Sequence, residues 1–203
     1  MALIATLQDN FNDNSLAAQW TNAGGARLTE VNQNIEITTL TTSGYYYMYS
    51  TSTYDLTNSQ ATVKMVSAGN QSLASLEVYP ISLEIDTNNK IFFFVAGNTL
   101  YAMKTIAGVQ TTVGSIAYNS TTMIYFGIFS SGGNITMKYS QDGLSWTALG
   151  AAFANPFVIT AIILVIMTGT WNTEASGTTT KFDDVNILPS ATNHNALLLL
   201  GVG

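Results

Sequence analysis

Ile91-Phe-Phe-Phe-Val-Ala-Gly-Asn-Thr-Leu-Tyr-Ala-Met-Lys104 decides the class of fold. Two runs rich in β-branched and aromatic residues flank Gly97-Asn98. A two-residue link of that composition closes an antiparallel hairpin, because the favoured turn needs positive φ at its centre. The same grammar recurs along the chain, with almost no helical periodicity. Strand-like runs cover 27–31, 35–39, 45–50, 61–66, 75–79, 82–86, 91–96, 99–104, 123–130, 135–139, 158–167 and 181–188. Many short strands separated by turn residues predict an antiparallel sandwich or barrel. Asp142-Gly143 and Gly132-Gly133 mark further turns, and Asp142-Gly143 is expected to close a tight hairpin onto 145–149. All three prolines, Pro80, Pro156 and Pro189, fall at expected strand ends, where no ladder hydrogen bond is lost.

Composition narrows the function. Charged residues are only 9% of the 203, against about 25% in an average soluble domain. Thr, Ser, Asn and Gly replace them, while 47% of the chain is hydrophobic, enough for a packed core. The formal net charge is −6, and the six basic residues are scattered. Nucleic-acid binding is excluded, since it needs clustered cations to displace phosphate counterions; anionic membranes are disfavoured for the same reason. Without cysteine there are no disulfides, thiolate metal sites or cysteine nucleophiles. The start, Met-Ala-Leu-Ile-Ala-Thr, lacks the basic region of a signal peptide, so synthesis in a cytoplasm is expected.

The apolar run 157–167 is about half the ~20 residues that cross a bilayer and reads as a strand buried on both faces, so no membrane insertion is expected. Residues 1–189 are expected to form the domain. The segment 190–203 is expected to be a polar linker with an apolar tail, Leu197, Leu198, Leu199 and Leu200, for docking onto another subunit.

Three stretches resemble one family. Asp9-Asn-Phe-Asn-Asp-Asn-Ser-Leu16 with Trp20 is similar to the opening of concanavalin A-like (laminin G-like) jelly-roll domains. Ser140-Gln-Asp-Gly-Leu-Ser-Trp146 is similar to their Asp-Gly hairpin. Gly169-Thr-Trp171 and Lys181-Phe-Asp-Asp-Val-Asn-Ile187 are similar to their close, where the last strand returns beside the first. The resemblance implies two packed antiparallel sheets used for glycan or protein contact. The cysteine-free chain, with no expected signal peptide and a short apolar tail, also resembles virion proteins of tailed bacteriophages. That likeness implies a non-catalytic structural or adhesion component of a virion, made in the host cytoplasm, with self-association, other virion proteins or a surface glycan as partners. A carbohydrate-binding module is the alternative, with a degenerate glycoside hydrolase behind it.

Glu84-Ile-Asp86-Thr-Asn88 is similar to the Glu-x-Asp-x-Glu strand of laminarinase-type glucanases, but Asn88 stands where the last Glu would. An amide cannot donate that proton, so no catalytic residue and no enzyme are expected. A single arginine, Arg27, argues against sialidase chemistry. The lone histidine, His194, supports neither a triad nor a zinc site. Tyr45, Tyr47 and Tyr49 alternate onto one strand face and, with Trp171, are candidate carbohydrate or partner contacts. Asp9, Asp13, Asp183 and Asp184 are brought together if first and last strands pair, and could then hold a structural calcium.

Overall fold

The protein is represented by a computed structural model that describes residues 1–189. The expected tail lies outside them. In chain order the strands are β1 Trp20–Asn22, β2 Leu28–Val31, β3 Asn34–Thr38, β4 Gly44–Ser50 and β5 Gln60–Ser67. There follow β6 Leu76–Asp86, β7 Asn89–Ala96, β8 Thr99–Ile106, β9 Val109–Ala117 and β10 Tyr125–Ser131. The last are β11 Asn134–Ser140, β12 Thr147–Ala148, β13 Phe153–Ala154, β14 Ile163–Thr170 and β15 Thr179–Asp183. Two single-turn 3₁₀ segments are the only helical residues among those described.

These strands make two antiparallel sheets packed as a jelly-roll sandwich. One runs β1-β4-β14-β6-β7-β8-β9; the other runs β12-β11-β10-β5-β15-β3-β2, with β13 also on β11. Alternation fills the space between them. Met48, Leu164, Ile166, Ile81, Phe93 and Leu100 face Ile35, Ile37, Phe126, Ile128, Ile135 and Phe182, all fully buried. Phe93 and Phe126 meet edge-on with centroids 5.6 Å apart. The Thr168 and Thr180 hydroxyls hydrogen-bond across the same interior at 2.7 Å, so neither is left unpaired.

Gly97 and Asn98 both take positive φ, +54° and +60°, and close β7 onto β8 as the sequence predicts. Three expectations need correction. Pro80 sits inside β6, not at its end; the register with β7 and β14 is interrupted there, and a bulge is where a strand tolerates proline. Asp142-Gly143 is not a two-residue link. The hairpin pairs Tyr139 with Thr147, and Asp142 Oδ1 accepts the N–H groups of Leu144 and Ser145 inside the longer loop. Those bonds, from Ser145 first, lower the Asp142 pKa to about 2. The apolar run 157–167 is a strand only from Ile163; Val158 before it is 70% exposed.

The two ends of the domain lie side by side. Asp9 and Val185 exchange backbone hydrogen bonds at 3.2 and 2.8 Å. Asn186 Nδ2 donates to the Ile4 and Leu7 carbonyls, and its Oδ1 accepts the Thr62 N–H at 2.7 Å.

Candidate functional site

The outward face of the first sheet carries the chemistry. Tyr45, Tyr47 and Tyr49 of β4 stand opposite Gly169, Met167 and Val165 of β14. Those in turn stand opposite Glu77, Tyr79 and Ser82 of β6. Intervening Met48, Leu164 and Ile166 point into the core, so β4 can show tyrosine to solvent without losing burial. One row further along, Glu84 lies opposite Ile163 on one side and Lys90 of β7 on the other.

Here the face forms a groove of about 450 Å³ lined by Tyr47, Tyr49, Glu84, Asp86, Lys90 and Met167, among others. Tyr47 and Tyr49 form one wall, their centroids 6.2 Å apart. Ser82 Oγ donates to Glu84 Oε1 at 2.7 Å and fixes that carboxylate. Asp86 accepts the Asn88 N–H at 2.8 Å. Asn88 itself lies in the β6–β7 turn and lines no part of the groove. Its amide therefore says little about what the groove can do, since Glu84 and Asp86 already supply two carboxyl groups.

At the other end of β6, Glu77 Oε2 accepts hydrogen bonds from the hydroxyls of both Tyr45 and Tyr79, each at 2.7 Å. Burial first, and Glu77 beside them, push both phenols well above their ordinary pKa, so both stay protonated donors. Tyr79 stacks on Phe94, and Phe94 on Tyr101, with centroids 5.4 and 4.7 Å apart. Trp171 follows β14 directly and is 59% exposed. From sequence, Tyr79 and Tyr101 are weaker contact candidates beside Trp171 and Gly169 belongs only to a framework motif, while Glu77 is not singled out. Alternation on β6 was the available signal, since Glu77 and Tyr79 sit two apart, but nothing in the chain showed which strand would pair with them.

The four aspartates do not form the expected calcium site. The first and last segments do pair, yet the acids face different partners. Asp9 Oδ2 accepts the Trp20 indole N–H at 2.8 Å and its Oδ1 the Phe11 N–H at 3.0 Å. Asp13 caps Ser15. Asp183 and Asp184 are both bound by Lys64 Nζ, at 2.9 and 3.1 Å. Desolvation works against that ammonium, but the two aspartates outweigh it and hold its pKa above the ordinary value. Among the described residues no group of three or more acidic or histidine side chains is placed to hold a metal ion.

No protein-family model matches the chain, and no curated protein matches it in sequence. Solved structures do match. The apo Crh5 transglycosylase superposes with a TM-score of 0.68 at 16% identity, covering 91% of this chain and 84% of that one. LamAcat from Zobellia galactanivorans gives 0.67 at 8% identity, over 91% and 96%. SCLam, a non-specific endo-β-1,3(4)-glucanase of family GH16, gives 0.63 at 8% identity, over 88% of each chain. The expectation of a non-enzyme is overturned by this set, because a glucanase and a transglycosylase share the fold over nearly its whole length. The fold is thus the concanavalin A-like jelly roll that the sequence motifs resemble.

Proposed function

We propose that the protein acts on an uncharged polysaccharide laid in the groove between Tyr47–Tyr49 and Glu84–Asp86. The observation that carries this is the pairing of an aromatic wall with two carboxyl groups on one outward face. Aromatic faces hold sugar rings by stacking, and glycoside hydrolysis asks for a pair of acids flanking the bond. Glu84, steadied by Ser82, is the acid we assign to the reaction, with Asp86 as its companion. Glu84 and Asp86 outnumber Lys90, the one cation lining the groove, which disfavours anionic glycans. The structural neighbours, a glucanase and a transglycosylase among them, support the same class of substrate.

Release of reducing ends from β-glucans, xylans and mannans tests the proposal. Glu84→Gln is expected to lower turnover by about 100-fold or more while leaving the fold intact. No turnover of any of these polymers, or an unchanged rate in Glu84→Gln, would sink it. The setting we propose is a virion surface, on the charge-poor, cysteine-free composition; absence of the native chain from purified particles would rule that out.

A further inference from the structure

We propose that Tyr45, laid over Gly169 and clasped by Glu77, is a second sugar platform that makes this face read glycan length; this rests on the groove reading above. Tyr45 and Gly169 are directly opposed across β4 and β14. A Cβ built on Gly169 would lie 2.2 Å from Tyr45 Cδ1 and 2.6 Å from Cγ, so the ring occupies the space a side chain would take. Glycine is what allows the phenol to lie down on the sheet instead of standing away from it. The Glu77 carboxylate then fixes the hydroxyl from the far side. The outcome is an immobilised ring, 38% exposed, that loses little further freedom when a sugar stacks on it. The same carboxylate holds Tyr79, whose ring continues through Phe94 to Tyr101, so the platform is braced by three further strands.

The platform adjoins the groove at its Tyr47–Met167 end, two residues along the strands, about 7 Å at ~3.3 Å per residue. From Glu84, opposite Ile163, it is farther: Gly169 and Ile163 are six residues apart on β14, about 20 Å on the same scale. A disaccharide seated at Glu84 does not reach Tyr45; a longer oligomer lying along β6 and β14 reaches both. Affinity should therefore climb with chain length until the platform is engaged, and then level off.

Calorimetric binding of β-1,3-gluco-, xylo- and manno-oligosaccharides, from disaccharide to octasaccharide, to the full chain carrying Glu84→Gln tests this without turnover. The octasaccharide of the glycan that binds is expected to bind about tenfold more tightly than its disaccharide. Adding Gly169→Ala, which must displace the ring, should erase that gain and leave the disaccharide unchanged. Tyr45→Ala, a change at an exposed position, should do the same and covers the case in which Gly169→Ala fails to fold. Equal affinity at all lengths, or a length gain that survives both changes, overturns the platform and leaves the groove standing. Failure of every oligosaccharide to bind overturns the groove and the platform together.

Discussion

Glu30 brings a carboxyl group to a place that offers it no donor. It shares a face of β2 with buried Leu28, and both of its oxygens are buried without a hydrogen-bond partner. Burial first, then the Asp13 carboxyl beside it and the charge of Asp9, raise its pKa above the ordinary value; the nearby Ser15 N–H, already given to Asp13, works the other way. A raised folded-state value means that the fold prefers the protonated acid. The contribution of Glu30 is then complete below the ordinary carboxylate pKa and is lost as pH rises through the folded-state value. Glu30→Gln keeps the shape without the charge. It is expected to melt higher than the wild type near about pH 7, with the difference closing toward about pH 4. Thermal unfolding across that range checks it, and a gap that widened on acidification would contradict the account. In sequence, Glu30 was one acid in a predicted strand. Its burial depends on the 9–15 loop folding over an edge strand, which no local pattern encodes.

At the scale of elements, Asn186 joins three that are distant in sequence. Its amide reaches the carbonyls of Ile4 and Leu7 near the start, while its oxygen and backbone N–H meet Thr62 of β5. Asn186→Ala removes three side-chain hydrogen bonds at a part-buried site and leaves their partners unsatisfied. A loss of about 2 kcal/mol is expected, read as a lower denaturant midpoint with an unchanged slope. Most elements were legible because their residues alternate. β4, β5, β7, β8 and β11 lie within a few residues of their expected bounds. β9 was missed entirely. Val109-Gln-Thr-Thr-Val-Gly-Ser-Ile-Ala117 is an exposed edge strand with no buried face to write a pattern, and pairing with β8 alone defines it. The two runs at 75–79 and 82–86 are one strand, β6, because Pro80 reads as a break in sequence but sits in a bulge that keeps the strand continuous.

For the whole molecule, the motifs that resemble the concanavalin A-like family mark the frame, not the chemistry. Asp9, Phe11 and Trp20 lock the opening by a carboxylate–indole bond and an aromatic contact at 6.1 Å. Asp142 organises a loop, and Asp183 and Asp184 neutralise Lys64. The outward tyrosines of β4 were visible from alternation. Their joining to Glu77, Glu84 and Gly169 was not, because β4, β14 and β6 are neighbours in space while β14 follows β4 by more than a hundred residues. Long-range pairing of that kind is what a one-dimensional pattern leaves out. The meeting of the two ends has a mechanical side. Asp9 and Val185 pair antiparallel, so the chain entering Asp9 and the chain leaving Val185 depart on the same side. A pull on both peels the Asn186 contacts and the Asp9–Val185 exchange apart in turn, so this seam should open under tension like a zip, at low force.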